Sequence, residues 1–529
     1  MESSDSDSEK DYDSNSDLEI ISEKDESEDE EEDQKESSTL ENESIYPIWN
    51  PPTTKMKNPH TGKNYKASEI TKLYHEFVNE QWTDLPELSE EERNPFIFSP
   101  DAVGCQGVET TPLQVFEKFC CSGIIKLMVE GSNAYSVSAR YKEKHKKRKK
   151  PDGPWNQPLA PADMYIFLAI CILSSIHNKQ QLKDNWSEDE YLSCPIFSKL
   201  MSRDRYMFIR QILHVSTDED KDDDDPLWKV RRFIDKLNSN YQQGYKLGAC
   251  ISIDESLQLY RGHHSLIHYV PNKAARFGLK LYVLAESDTG FVWRFIYDMG
   301  PKTKLLKDCP TNFSKPDKIV WTLMASVPSV LNEGRVLGMD NYYTSINLFY
   351  LLSKYKTDAI GTVRKNRKGL PQKVVKLKWK KKTEKGNRTL AFNDRFFVMN
   401  WMDKKEVVLL SSISNGLREN DIAAIRKGRQ GDLKPQCVHE YNRIMPGVDL
   451  NDQMKFGRKV ARRRVKTFYK TIIFHQFDTL LVNSFIYYKK IPENGKYPNE
   501  KCTQNDFRLL LVKVLVSKYA KHATTTNGI

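Results

Sequence analysis

From Pro112 onward, apolar residues recur every three or four positions. "PLQVFEKFCCSGIIKLMVEGSNAYS" shows this first, with Pro112 suited to a first helical turn. "PADMYIFLAICILSSIH", "SRDRYMFIRQILHV" and "PLWKVRRFIDKLNSNYQQ" continue it, so residues 112–248 read as one helical block, interrupted by the acidic loop "TDEDKDDDDP". Its longest apolar run, "MYIFLAICIL", is too short to span a bilayer and predicts a core helix. At Cys250 the period changes to two. "CISIDESLQLYRG" and "HSLIHYV" read as paired strands, and "FGLKLYVLAES" and "GFVWRFIYDMG" as a hairpin around "DTG". "DKIVWTLMASVPSVLNEG" predicts a helix closed by Gly334, followed by the strand "RVLGMD", the helix "SINLFYLLSKYK" and the short strand "DAIGTV".

Strands, helix, strand, helix, strand is an α/β order, and it resembles the ribonuclease-H-like topology. The segment from 368 to 436 alternates apolar and basic residues like a small β unit, with Trp379 and Trp401 to fill it. No internal repeat is visible. Of 529 residues, 39% are hydrophobic, and the low figure has a local cause. Residues 1–45 hold about 20 Asp and Glu against 3 Lys, so a net charge of +9 hides a body of roughly +26 behind an acidic tail. The tail lacks the apolar residues that would offset ordering entropy and is expected to be disordered. Serines such as Ser6 and Ser27 stand three residues before acids, where phosphorylation would add negative charge, and the tail reads equally as a competitor with DNA for the basic body and as a solubilising segment. A basic body of this size suggests a polyanionic partner, nucleic acid first. The acidic opening is not a signal peptide. The nine cysteines include no C-x-x-C pair, which argues against a disulfide scaffold or compact zinc site and suits a soluble, intracellular protein.

Candidate chemistry lies in carboxylates. Asp254 sits in "ISID", and Asp340 ends the strand "RVLGMD", where a lone Asp would usually cap a turn. In a ribonuclease-H-like sheet those two strands are neighbours. "MPGVDLNDQM" adds Asp449 and Asp452, which as i and i+3 would share one helix face. Clustered carboxylates repel, and a divalent cation neutralises them. Oxygen-only ligands favour Mg²⁺ or Mn²⁺, and two such ions about 3.5–4 Å apart serve phosphodiester chemistry.

Together "IDESLQLYRGHHSLIHYVPNKAARFGLKLYVLAES", "MDNYYTS", "GTVRKNR" and "GVDLNDQ" resemble the piggyBac transposase family, over roughly residues 110–520. The likeness is nearest to the domesticated, transposable element-derived members. The resemblance implies an α+β multidomain chain: a ribonuclease-H-like α/β catalytic core, a mostly β insertion domain, and a flanking α-helical dimerisation and DNA-binding domain. The expected layout is an acidic tail (1–45), an extended segment (46–111), the first helical part (112–248), the first part of the core (249–367), the insertion (368–436), the core segment with the third aspartate (437–454), the second helical part (455–522) and a short tail (523–529). It also implies that Asp254, Asp340 and Asp449 are a catalytic triad holding two Mg²⁺ or Mn²⁺ ions, with Asp452 a further ligand.

In "GTVRKNRKG", Arg364 and Arg367 match family positions that contact DNA, and Lys365 between them is a further DNA-binding candidate. In "KFGRKVARRRVKTFYK", Arg462, Arg463, Arg464 and Lys466 precede Phe468, a combination suited to phosphate contact and base stacking. The run Lys144, Lys146, Lys147, Arg148, Lys149 and Lys150 reads as an exposed linker and as a nuclear import signal. His263 and His264 are assigned no role. Two features depart from the family pattern. No cysteine follows Cys502, where active members carry a cysteine-rich zinc domain, so no structural zinc is expected and full transposition is placed in doubt. Pro446 and Gly447 stand where the family has Gly-Gly. The expected protein is a nuclear, homodimeric transposase that cuts double-stranded transposon ends and joins them to TTAA targets, without membrane attachment. The alternatives are a silent nuclear DNA-binding descendant and a generic ribonuclease-H-like nuclease.

Overall fold

In the computed structural model the structure describes residue 82, residues 96–99, and residues 103–523 apart from 139–140, 143–155, 263, 271–276, 311–312, 380–385, 394–395, 414–434, 462–464, 466 and 493–498. The acidic tail, the linker lysines from Lys144 to Lys150, and Arg462, Arg463, Arg464 and Lys466 lie outside the described residues.

The helical half of the chain follows its periodicity. Helices α1 (Pro112–Phe119), α2 (Ser122–Val137), α3 (Pro161–His177), α4 (Pro195–Leu200), α5 (Arg203–Ile212) and α6 (Trp228–Gly244) come first. The first predicted helix is in fact two. It breaks at Cys120 and Cys121, where the Asn240 amide of α6 donates to the Phe119 carbonyl at 2.8 Å. That side chain takes over a carbonyl the helix would otherwise have satisfied. As the apolar run predicted, α3 is buried nearly all round. Two strands of two residues, β1 (Gly104–Cys105) and β2 (Tyr245–Lys246), pair beside this block.

A nine-stranded mixed sheet follows, made of β3 (Cys250–Leu259), β4 (Ile267–Tyr269), β5 (Phe277–Glu286), β6 (Val292–Tyr297), β7 (Val336–Met339), β8 (Asp358–Thr362), β9 (Arg388–Phe392), β10 (Phe397–Met402) and β11 (Glu406–Ser411). Its order is β4–β5–β3–β7–β8–β11–β10–β9, with β6 also on β5. The central pairs β3–β7 and β7–β8 are parallel. Ile251, Ile253, Leu337, Met339 and Ile360 are buried there, as expected of strands covered on both faces. Each parallel return needs a crossover: α7 (Lys315–Ala325) precedes β7, and α8 (Ile346–Lys354) joins β7 to β8.

Two further expectations change. The hairpin of β5 and β6 forms, but β4 pairs with β5 rather than β3, because β5 already occupies that edge of β3 from Ile251 to Leu259. Helix α7 stops at Ala325 instead of running to Gly334, since Pro328 has no N–H and disfavours helical backbone before it. Gly334, at φ +73°, instead begins the approach to β7. Strands β9–β11 from the 368–436 segment join the main sheet through β11 and β8. Trp401 is buried there with Met399, Leu409, Val438 and Ile444, after the short helix α9 (Gln372–Val375).

The chain closes with α10 (Gln436–Ile444), α11 (Gly447–Lys455), α12 (Phe468–Lys489) and α13 (Gln504–Tyr519). Helix α12 packs on α1 and α13 on α3, so helices from both ends of the described chain make one packed body. Among the described residues no helix is long and apolar enough to cross a membrane.

The acidic loop before α6 has one buried member. Asp225 accepts from Arg231 Nε at 2.6 Å, and its Oδ2 lies 3.0 Å from Lys304 Nζ. Burial alone would raise its carboxyl, but hydrogen bonds and charge from Arg231, the Leu227 N–H and Lys304 hold it at about 2. A depressed carboxyl stabilises the fold above its unfolded pKa and loses that contribution as pH falls through the folded value. We therefore expect Asp225→Asn to cost about 2 kcal/mol at neutral pH, with the difference from the native chain vanishing between about pH 4 and pH 2. Urea midpoints at a series of pH values measure this. A difference that persists unchanged below pH 2 would assign the loss to packing instead.

Candidate active site

Register brings the first two aspartates together. In the parallel ladder Ile253 lies opposite Met339, so Asp254 and Asp340 are the next residues on neighbouring strands. Alternation decides the face. A Cβ on Gly338 would lie 2.8 Å from Ile444 of α10, and the Ser256 hydroxyl bonds Asp452 of α11. The even-numbered face of β3 and β7 is therefore the one covered by α10 and α11, and Asp254 stands on it. Asp449 comes from the first turn of α11.

Local bonds fix the acids. Asp254 Oδ1 accepts from the Glu255 N–H at 2.7 Å, and Asp340 Oδ1 from the Tyr342 N–H at 3.0 Å. Asp340 thus does cap its own turn with one oxygen, and the Thr344 hydroxyl closes that turn on the Asp340 carbonyl at 2.7 Å. Asp254 and Asp340 are half-buried, and Asp449 is exposed.

Two buried tyrosines lie within the influence of these acids. Burial is the main force raising the Tyr441 phenol on α10, and Asp340, Asp254 and Asp449 each push it further up. Tyr343 is fully buried, and burial followed by Glu255, Asp254 and Asp340 takes its phenol well above the ordinary value. One ring therefore feels all three carboxylates, and both phenols remain protonated.

Asp452 shares the helix face with Asp449 but is already engaged. Both its oxygens accept from the Ser256 hydroxyl, at 2.9 and 2.8 Å, and Lys455 Nζ stands 2.8 Å from Oδ1. Among the described residues no three His, Cys, Asp or Glu side chains are grouped so that they could hold a metal ion. The donor type, carboxylate oxygen, is the one hard divalent cations take.

The basic residues divide. Arg364 Nε donates to Asn341 Oδ1 at 3.1 Å, and Arg367 donates to the Asn341 and Tyr342 carbonyls, so both lean on the turn after Asp340. Lys365 turns the other way, to Glu406 at 2.5 Å and the Leu377 carbonyl at 2.6 Å. Phe468 opens α12 half-buried, its ring 4.0 Å from that of His264. Further along β3, a cavity of about 340 Å³ opens between the strand end and α12, lined by Gln258, Arg261, Lys459 and His475 among others. Sequence reasoning passed over Ser256, Tyr441 and Lys455. Strand alternation from Asp254 and the i,i+3 spacing of Asp452 and Lys455 were signals for two of them. Tyr441 carried none.

A family model described as Transposase IS4 matches residues 111–485. The human piggyBac transposable element-derived protein 3 is 25% identical over 401 residues, covering 73% of this chain and 62% of that protein. The human piggyBac transposable element-derived protein 2 is 25% identical over 389 residues, covering 71% and 61%. The chain thus spans about three-fifths of the length of these relatives. A cryo-EM structure of a piggyBac transposase synaptic complex with hairpin DNA shares the fold, with a TM-score of 0.67 and 24% identity over 80% of this chain and 84% of that one.

Proposed function

The chain belongs to the piggyBac transposase family, and from that premise we propose that it is a metal-dependent DNA transposase, or a domesticated descendant, acting on double-stranded ends with TTAA targets. The observation that carries this reading is the parallel register of β3 and β7, with Asp254 and Asp340 at adjoining positions beneath α10 and α11. The order β6–β5–β3–β7–β8, antiparallel then parallel, supports a ribonuclease-H-like core. Asp254, Asp340 and Asp449 are the residues that would hold Mg²⁺ or Mn²⁺. A bound pair supplies Lewis acidity to the attacking and leaving oxygens of phosphodiester exchange. Tyr343 and Tyr441 stay neutral and wall the site with buried ring. Arg364 and Arg367, beside the Asp340 turn, would bring phosphates to the acids. A homodimer on DNA and nuclear residence complete the reading.

The test is a Mg²⁺-dependent assay on duplexes with TTAA-flanked ends, scored for nicked, hairpin and joined products. Joining confined to TTAA supports the proposal, and cutting without target preference favours a generic nuclease. Binding with no product favours a silent descendant.

The split among the basic residues gives a second outcome. Arg364→Ala should weaken DNA binding and lower the slope of log K against log salt by about 1, the loss of one phosphate contact. Lys365→Ala should leave the slope unchanged, because its ammonium is committed to Glu406. Equal slopes for the two variants would contradict this division.

A further inference from the structure

We propose that Ser256, Asp452 and Lys455 form a positioning clamp that sets the direction of Asp449, and that Asp452 is not itself an ion ligand. The inference rests on the reading of Asp254, Asp340 and Asp449 as the catalytic set.

Helix α11 sits hard against the sheet. A Cβ on Gly447 would lie 2.5 Å from Ser252 Oγ and 2.7 Å from the Glu286 carbonyl, so no larger residue allows this approach. Asn451 Nδ2 pins the same helix to the Gly290 carbonyl at 2.9 Å. These contacts fix its height over β3 and β5. Its rotation is set by Asp452, whose carboxylate takes the Ser256 hydroxyl on β3. Lys455 closes the clamp. Its side chain is only 6% exposed, its Nζ is 2.8 Å from Asp452, and it reaches Thr479 Oγ1 of α12 at 3.5 Å.

A buried ammonium is costly unless paired, and Asp452 is the carboxylate that pairs it. A divalent ion on Asp452 Oδ1 would face that ammonium across a few ångströms, and the two cations would repel. The charge of Asp452 is thus spent on Lys455. Asp449 lies three residues earlier on the same helix face, so it inherits the rotation the clamp imposes. Turning a helix of about 5–6 Å outer radius by ~10° moves a side-chain tip by ~1 Å. A displacement of ~1 Å at a reacting group can cost ~10²-fold in rate.

The test uses Asp452→Asn, Lys455→Met, Ser256→Ala and the double variant Ser256→Ala/Lys455→Met in the full chain, with Tb³⁺ alone as the ion probe. Single-turnover DNA cleavage should fall by about 10–100-fold in each variant, while Asp452→Asn weakens Tb³⁺ binding, read by luminescence, no more than Ser256→Ala does. The double variant should be no slower than its worse parent, and Lys455→Arg and Ser256→Thr should restore the rate. The clamp is overturned if Asp452→Asn weakens Tb³⁺ binding by about tenfold or more beyond Ser256→Ala, because a direct ligand costs more than a residue that only supports one. Should the catalytic reading itself be wrong, Asp340→Asn leaves Tb³⁺ binding unchanged, and amide exchange of residues 447–455 decides. Faster exchange in Lys455→Met and Ser256→Ala sustains the clamp, and unchanged exchange removes it.

Discussion

Asp340→Asn is expected to reduce metal-dependent strand cleavage by about 10³-fold or more while leaving the fold and DNA binding in place. The carboxamide keeps the shape of the side chain, and its oxygen can still accept from the Tyr342 N–H, so the turn at 340–344 survives. What disappears is one negative charge at the position beside Asp254. Charge stabilisation by a bound metal is worth several kcal/mol in the transition state, and each 1.36 kcal/mol is tenfold in rate. Losing a ligand therefore costs orders of magnitude, whereas losing a turn cap costs stability of about 1 kcal/mol and little chemistry. Single-turnover cleavage at saturating Mg²⁺, beside a DNA-binding titration, separates the two. Cleavage within about tenfold of the native rate would reduce Asp340 to the turn-capping role its single oxygen already performs, and the enzymatic reading would fail.

How far the site was legible depends on the distance over which its causes act. Asp340 stood out because a core strand ends on it, and strand and helix order around it suggested that Asp254 was its neighbour. The register that proves the juxtaposition, Ile253 opposite Met339, is long-range and invisible in either segment alone. For the same reason β4 was assigned to the wrong partner: nothing within "HSLIHYV" states that β5 already occupies β3. The end of α7 was legible in principle, because Pro328 is a local signal, but apolar spacing to either side masked it. The spacing of Asp452 from Asp449 suggested shared ligation, and only the packing of α11 on β3 shows that the carboxylate also meets Ser256 and Lys455. Tyr441 feels all three acids through burial, and burial is a property of the folded chain.

Far from these acids, Arg205→Met is expected to destabilise the protein by about 3–5 kcal/mol, the cost of breaking a buried ion pair from one side. Arg205 and Asp163 are both fully buried, 3.1 Å apart. Asp163 also accepts from the Ala160 N–H at 2.9 Å, capping α3, and Arg205 donates to the carbonyls of Gln157 and, at 3.3 Å, Pro158. One guanidinium thus holds the entry of the central helix to α5. Burial lowers its pKa while the charge and hydrogen bond of Asp163 work against that, so the arginine remains charged and its removal strands a carboxylate in an apolar interior. The thermal midpoint should fall by roughly 10 °C, since each kcal/mol moves a domain of this size by a few degrees. Asp163→Asn/Arg205→Met, which leaves no buried charge, should cost less than Arg205→Met alone. A double variant as unstable as the sum of its parents would show that the two residues act separately. Helix α3 packs on α13 rather than on α11, so cleavage per folded molecule should remain near native in both variants. A loss of rate without a loss of stability would mean that the helical body does more than support the sheet.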